Sequence, residues 1–157
     1  MERWIVPCSI KFYDVEKHFD TTTNIVFKAP PGIKEKDLVY LYLGAPRSAI
    51  GYLCEVIQAK VPNSVVLEHD YAIKKTRVGD PSAFERKQKV QYMLLRLIHS
   101  YPKGYLSYSL LKKHGLGQVQ ISARAGKELS KGLEIADKRM EEKGMLEYPS
   151  IKSAENE

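Results

Sequence analysis

The chain has 157 residues, of which 43% are hydrophobic and 28% are charged. This length and balance are typical of one globular domain and unlike a disordered or fibrous protein. Since no apolar run approaches the roughly 20 residues that span a bilayer, we expect a cytoplasmic protein with no membrane partner. Two cysteines, Cys8 and Cys54, are too few for a disulfide framework and match no zinc spacing, so we expect buried, reduced thiols.

The positive charge is concentrated in one part of the chain. The net charge is +6, but the segment from Lys74 to Lys131 alone holds 13 Lys or Arg against three acids, about +10. A basic segment on a slightly acidic body favours a polyanionic partner such as nucleic acid. A solvated, solubilising face explains the same charges almost equally well.

The first half of the chain predicts mainly strands. Residues 13–19 have helical spacing, with Asp14 in the first turn of a short helix. Residues 70–87 are polar and charged, which predicts a mobile loop. Apolar or β-branched runs bounded by Pro, Gly or Asn predict strands at 3–8, 25–27, 38–43, 49–61 and 64–67.

The second half changes its period. Residues 90–98 begin as alternation and become a continuous apolar run, which favours a strand, although a helix fits almost as well. Helices are predicted from Leu106 to a Gly115 cap and over 127–143. The sequence therefore predicts an α+β fold, a sheet or small barrel with helices at its edges. We assign 3–145 to one domain and 146–157 to a polar tail or linker.

Catalytic motifs are not evident in the sequence. The four histidines are scattered, and no phosphate-binding glycine loop or nucleophile elbow occurs. Glu68, His69 and Asp70 are the nearest approach to a site, and a hairpin turn explains them better. We therefore expect no catalytic residues, no metal and no cofactor. A small enzyme, such as a nuclease or an amidohydrolase, is an alternative to the two binding functions described below.

Aromatic residues are more suggestive of binding. The chain holds ten tyrosines, four phenylalanines and one tryptophan. Tyr40, Tyr42 and Tyr52 fall on two strands that are predicted neighbours. A base stacked on such a ring gains about 1–3 kcal/mol. An aromatic core is the more frequent explanation for any one of these residues, so only the group as a whole favours binding.

Several segments resemble the EVE-like domains of modification-dependent restriction systems, which belong to the PUA-like superfamily. The most distinctive is the opening block, Trp-Ile-Val-Pro-Cys-Ser-Ile-Lys-Phe-Tyr-Asp at 4–14. Looser matches follow at 25–28, 36–46, 49–56, 92–95 and 106–116. The resemblance implies a PUA-like twisted β-barrel or sheet with flanking helices, and an aromatic pocket that accepts one flipped base.

The resemblance also assigns pocket residues. Phe27 stands where the family usually has tryptophan, and Ser9 where asparagine is common, so the identity of the modified base is not carried over. Lys36 replaces a glycine that usually precedes Asp37. The implied base-binding residues are Phe27, Ser9, Cys8, Tyr13, Tyr42 and Trp4.

Contacts to the nucleic-acid backbone follow from the same resemblance and from the basic residues. Gln120 would enter the duplex to fill the gap that a flipped base leaves. The other implied backbone contacts are Lys28, Arg47, Lys74, Lys75, Arg77 and Arg124.

The resulting expectation is a non-catalytic module that recognises a modified base, a methylated cytosine or adenine, in double-stranded DNA. It would target a nuclease or NTPase effector on another domain or chain. The alternative is a PUA-like RNA-binding domain that recognises transfer RNA, ribosomal RNA or methylated RNA. In that case the 2′-hydroxyl would be the discriminating group.

Overall fold

A computed structural model describes residues 1–10, 14–62, 91–117, 119 and 121–149. The described chain forms six strands and three helices. The strands are β1 (Arg3–Cys8), β2 (Asn24–Lys28), β3 (Leu38–Leu43), β4 (Ala49–Gln58), β5 (Tyr92–Ser100) and β6 (Ala123–Arg124). The helices are α1 (Val15–Phe19), α2 (Tyr108–Lys113) and α3 (Lys127–Glu142).

The six strands form one mixed sheet in the order β2-β5-β4-β3-β1-β6. β1 pairs with β3 in parallel, and the other pairs are antiparallel. Across the described residues, β2 and β6 are the two edges and do not pair with each other. The α+β class is therefore confirmed, and of the two predicted forms the structure has the open sheet and not the closed barrel.

The strand predictions hold for the described part of the chain. β5 is a strand and not a helix, and its place between β2 and β4 explains the apolar run that made the sequence ambiguous. β4 ends at Gln58, three residues before the predicted end at Val61. The strand predicted at 64–67 and the loop predicted at 70–87 lie outside the described residues.

Alternation along the strands divides the core between the two faces of the sheet. One face carries Trp4, Cys8, Leu41, Tyr52 and their neighbours, and α1 packs on it through Val15 and Phe19. The other face carries a second cluster that α2 and α3 cover with Leu111, Leu129 and Leu133. A third, smaller cluster of Val26, Val61 and Tyr92 lies apart from both helix-covered clusters.

α1 and α2 begin with side-chain caps, whereas α3 begins after Gly126 without one. Asp14 caps α1 by accepting a hydrogen bond from Lys17 N, and Ser107 caps α2 in the same way through Leu110 N. Gly115 follows α2 with φ +97°, a conformation that glycine adopts at little cost. Among the described residues, none of these helices has the length and apolar character needed to cross a membrane.

Candidate functional site

A cavity of about 550 Å³ opens on the α1 face, where β4 begins and β5 ends. Its size lies in the range of about 300–1,000 Å³ that small-molecule sites occupy. Aromatic and charged side chains line it together. The lining includes Glu16, Phe19 and Asp20 of α1, Arg47, Gly51 and Tyr52, and then Leu97, Ser100–Lys103 and Glu147–Pro149.

Two irregularities in the sheet shape the floor of this cavity. Leu41 pairs with Tyr52 while Tyr42 pairs with Ile50, so Gly51 is the extra residue of a β-bulge. A second bulge lies on β5. Leu53 of β4 pairs with His99 and Cys54 pairs with Leu97, so β5 has one extra residue there. Bulges bend a strand and change the direction of nearby side chains. Tyr52 lies between the two, at the point where the sheet bends.

Gly51 also sets how closely the cavity wall approaches the sheet. A Cβ at this position would stand 2.6 Å from Leu43 Cδ1 and 3.6 Å from Arg47 Cζ. Any side chain here would therefore displace Leu43, while the Arg47 guanidinium would be in ordinary van der Waals contact with it. The glycine is required for close packing, and not for an unusual backbone angle.

Tyr52 is the aromatic centre of the cavity. Its ring lies 4.8 Å from the ring of Phe19, centroid to centroid, at an interplanar angle of 52°. Burial raises the pKa of the Tyr52 phenol, Glu16 and Asp20 add to the rise, and Arg47 opposes it. The phenol is therefore neutral at physiological pH, and the pair of rings can pack against a flat ligand.

Arg47 reaches the cavity from the turn between β3 and β4. Its Nη2 donates to the carbonyl oxygen of Tyr101 at 3.1 Å. Its Nε is buried and has no hydrogen-bond partner among the described residues. Because a guanidinium has several donors in a fixed fork, part of its hydrogen-bonding capacity is left over in the cavity.

Tyr101 is itself held from the far side of the sheet. Its hydroxyl donates to Asp137 Oδ1 of α3 at 2.5 Å. Burial raises the pKa of the Asp137 carboxyl to about 6, although Tyr101 and Arg3 act to lower it. The carbonyl that binds Arg47 therefore belongs to a residue whose side chain is anchored to α3.

The charges around the cavity are mixed. Three carboxylates, Glu16, Asp20 and Glu147, and two cations, Arg47 and Lys103, line it. Within the described residues, no group of three or more His, Cys, Asp and Glu side chains is placed to hold a metal ion. The arrangement offers stacking surfaces, donors and acceptors.

The implied base-binding residues are not gathered in this cavity. Phe27 is buried and pairs with Met93 near the start of β5, four residues before Leu97, the nearest β5 residue that lines the cavity. That separation is about 13 Å along a strand. Cys8 is buried on the same face and lies close enough to Tyr52 to affect its pKa, after burial and the three charged neighbours. Ser9 is half-buried just beyond β1.

Tyr42 lies on the opposite face of the sheet from Phe27, Cys8 and Trp4. There it packs edge-on against Tyr108 of α2, with ring centroids 6.3 Å apart. Tyr42 therefore shares no pocket wall with Phe27, Cys8 or Trp4. Tyr13 lies outside the described residues.

Trp4 belongs to a closed cluster on the α1 face, at the side of β1 that pairs with β6. Its indole Nε1 donates to Asp37 Oδ2 at 3.0 Å, and the guanidinium of Arg124 covers its ring at 5.0 Å. Arg124 is half-exposed and lies 3.9 Å from Glu2. The indole is only 4% exposed, and its one polar atom already has a partner.

The implied backbone contacts are also dispersed. Lys28 is exposed at the end of edge strand β2, and Arg124 lies on the opposite edge strand, β6. Arg47 alone among the described ones lines the cavity. Lys74, Lys75, Arg77 and Gln120 lie outside the described residues.

Sequence reasoning missed Phe19, Glu16, Asp20 and Tyr148 as lining residues. Phe19 was visible only as the apolar side of a short helix. Its contact with Tyr52 joins positions 33 residues apart, and no local pattern predicts such a contact. Tyr148 lies in the segment interpreted as a polar tail, yet the neighbouring Glu147 exchanges backbone hydrogen bonds with Ser100. The tyrosines on the two strands predicted to be neighbours were the one signal that led towards Tyr52.

Solved structures similar to this chain include the ASCH protein from Zymomonas mobilis, whose fold the chain shares. A single-residue mutant of the ASCH protein from Zymomonas mobilis matches with a TM-score of 0.56 and 10% identity, over 86% of this chain and 98% of that one. A hypothetical protein from Leishmania major matches with a TM-score of 0.59 and 13% identity, over 90% and 97%.

A protein from Pseudomonas putida gives a TM-score of 0.57 at 11% identity, over 85% of this chain and 97% of that one. No sequence profile of a known family matches the chain, and no curated protein matches it. At these identities the likeness establishes the fold alone.

Proposed function

We propose that this chain is a non-catalytic nucleic-acid-binding domain that takes one unstacked base into the cavity beside α1. The observation that carries the proposal is the cavity of about 550 Å³ with Tyr52, Phe19 and Tyr148 at its walls and Arg47 inside it. PUA-like folds, ASCH domains included, are a nucleic-acid-binding type of domain, which supports the same assignment.

The energetics of base capture suit this cavity. Extruding a base costs a few kcal/mol, and less for a damaged, modified or unpaired base. Stacking on aromatic rings offsets about 1–3 kcal/mol per base. The neutral phenol of Tyr52 suits stacking and hydrogen bonding rather than proton abstraction, which favours binding over cleavage.

The finer proposal is that the base is a modified one in duplex DNA and that the domain directs a restriction effector on another domain or chain. The resemblance of the opening block at 4–14 to EVE-like domains supports it. RNA is the second candidate, and the likeness to ASCH domains favours it. Both candidates use the same cavity and differ in the backbone that accompanies the base.

A fluorescence-anisotropy titration at fixed salt tests the proposal. The probes are matched DNA duplexes that carry no modification, 5-methylcytosine, 5-hydroxymethylcytosine or N6-methyladenine, with unmodified and methylated RNA of the same length. A preference of about tenfold for one modified duplex, about 1.4 kcal/mol, supports the DNA reader. A similar preference for RNA supports the second candidate. Equal and steeply salt-dependent binding to all probes contradicts base capture and leaves only a basic surface.

A matched pair of tyrosine variants shows whether the cavity is responsible. Tyr148 lines the cavity and is 57% exposed, whereas Tyr105 is 48% exposed and does not line it. Tyr148→Ala should reduce the affinity for the preferred probe about 5- to 150-fold, the value of one stacking contact. Tyr105→Ala should leave it within about twofold. Equal effects of the two substitutions would remove the cavity from the proposal. Incubation with the same probes should yield no cleavage products.

A further inference from the structure

The Arg47 guanidinium is fixed in place before any ligand arrives. Its Nη2 is bound to Tyr101 O at 3.1 Å, and its Cζ lies over Gly51, 3.6 Å from where a Cβ would stand. The Tyr101 side chain is tied in turn to Asp137. A cation held in this way loses little conformational entropy when it binds, so it can discriminate by geometry as well as by charge.

The same guanidinium has unused donors. Tyr101 O is its one hydrogen-bond acceptor among the described residues, and its Nε is buried without a partner. The Nε atom is closed off from the cavity, so the donors that remain for a ligand are those of the two Nη atoms. The cavity therefore provides a place for acceptor atoms beside Arg47.

The surrounding charges argue against phosphate as that acceptor. Glu16, Asp20 and Glu147 line the cavity beside Arg47, and Lys103 is the other lining cation. A phosphate group would add negative charge among three carboxylates, and like charges repel strongly in a partly enclosed site. A neutral ring with acceptor atoms on its edge avoids this repulsion and also stacks on Tyr52.

We propose that Arg47 reads the edge of the captured base and makes no phosphate contact, and that it selects bases with two adjacent acceptors. This inference rests on the proposed function. The guanidinium fork matches the O6 and N7 atoms of guanine, and the O2 and N3 atoms of cytosine form a similar pair. Adenine and thymine have no two adjacent acceptors on one edge. The carboxylates of the cavity then accept from the amino group that both selected bases carry.

The test uses single-stranded thymine oligonucleotides with one central cytosine, guanine, adenine or thymine, at several salt concentrations. The proteins are the full chain, Arg47→Lys, Arg47→Gln and the control Arg139→Lys, which makes the same change as Arg47→Lys on the exposed side of α3. The unaltered chain and the control should prefer a cytosine or guanine centre over adenine by about tenfold or more. Which of the two is preferred identifies the base.

Arg47→Lys keeps the charge but loses the fork, so the preference should fall to within about twofold with an unchanged salt slope. Retained preference would overturn the inference. So would a uniform loss for all four probes with a salt slope lower by about one in Arg47→Gln, the signature of a phosphate contact. Binding to all four probes without preference overturns this inference alone. Binding to none of the nucleic acids overturns the proposed function together with it.

A second measurement needs no variant protein. Replacing the central guanine by 7-deazaguanine, or the central cytosine by 3-deazacytosine, removes one acceptor of the pair and leaves the ring stack in place. The affinity of the unaltered chain for the preferred base should fall about tenfold or more. Unchanged affinity would overturn the inference even if Arg47→Lys did not fold.

Discussion

Two regions on the same face of the sheet combine an aromatic ring, an arginine and a carboxylate, and only one of them is open. In the closed cluster, Asp37 binds the indole of Trp4 and Arg124 covers the ring. Around the cavity, Tyr52 and Arg47 lie near Glu16, but open space separates the groups that line it. Composition is therefore the same in the two regions, and the completeness of their internal contacts differs.

In the closed cluster, the buried carboxylate of Asp37 has hydrogen-bond donors within the chain. Asp37 is 3% exposed and accepts hydrogen bonds from Glu2 N, Lys34 N and Trp4 Nε1 at 2.9–3.0 Å. Burial alone would raise the pKa of this carboxyl, but the three hydrogen bonds outweigh it and the net pKa is lowered. At the cavity, by contrast, Arg47 Nε has no partner among the described residues. A ligand is needed only where contacts remain incomplete.

The largest expected effect is the loss of stability on substitution of Phe27. The resemblance implies this residue as a wall of the base pocket, but the structure places it in the core. Phe27→Ala should lower the free energy of unfolding by about 3–5 kcal/mol, because it leaves a cavity in a close-packed cluster. Urea unfolding measures this loss. Phe27→Leu keeps most of the volume and should leave base preference within about twofold. Loss of preference in a folded Phe27→Leu protein would instead support the cage that the resemblance implies.

Asp37→Asn tests whether the closed cluster is held by its carboxylate. An amide nitrogen would face a donor, so we expect a loss of about 2–3 kcal/mol at pH 7. Because the folded pKa lies below the ordinary value of 3.8, this stabilisation is present above that pH and is lost as the pH falls through the folded pKa. The difference between the two proteins should therefore shrink below pH 3.8. A difference that stays constant down to pH 2 would contradict the assignment.

Asp137→Asn tests the support beneath the cavity. The folded pKa of Asp137 is raised from 3.8 to about 6, so the folded state binds the proton more tightly and stability is lost as the pH rises between these values. The free energy of unfolding of Asp137→Asn, relative to that of the unaltered protein, should therefore rise by about 1–2 kcal/mol as the pH rises from 4 to 7. His99 acts in the opposite direction, since burial lowers its pKa to about 4. Subtracting the two unfolding curves cancels the His99 contribution, and a flat difference would contradict the prediction.

The smallest effect concerns the turn that carries Asp37. Lys36 has φ +73°, in the left-handed region where a side chain costs about 1–2 kcal/mol. Lys36→Gly should raise the free energy of unfolding by up to about 1 kcal/mol, after the greater flexibility of glycine in the unfolded chain is subtracted. Base affinity should not change, because this turn belongs to the closed region. Thermal unfolding checks the first point, and a loss of stability would contradict it.

Much of the fold was predictable because its signals are local. Alternation and β-branched runs marked the strands, and Gly115 follows α2 as predicted. Asp14 is the N-cap of α1 and not a residue of its first turn, and α2 begins after Ser107 and not at Leu106. The ambiguity at residues 90–98 arose because a strand with neighbours on both sides is apolar on both faces and resembles a buried helix. Only the pairing with β2 and β4 resolves it.

The candidate site was much less predictable. The resemblance implied Trp4 and Phe27 as pocket residues, but both are buried in the core and the indole of Trp4 is hydrogen-bonded to Asp37. Tyr42 lies on the opposite face of the sheet from them, because successive residues of a strand point to opposite faces. The lining of the cavity comes from α1, β4, the end of β5 and residues 147–149, and the distances between these segments are set by pairing across the sheet.

The sequence by itself determined the class of fold, the order of its elements and the kinds of side chain available, since periodicity, caps and composition act over a few residues. Tertiary structure decided that the sheet stays open among the described residues, that the Trp4 cluster is closed and that a cavity remains beside Tyr52. These outcomes depend on which distant groups meet and satisfy one another. At the cavity, two β-bulges and the absence of a side chain at Gly51 determine which groups lie close together.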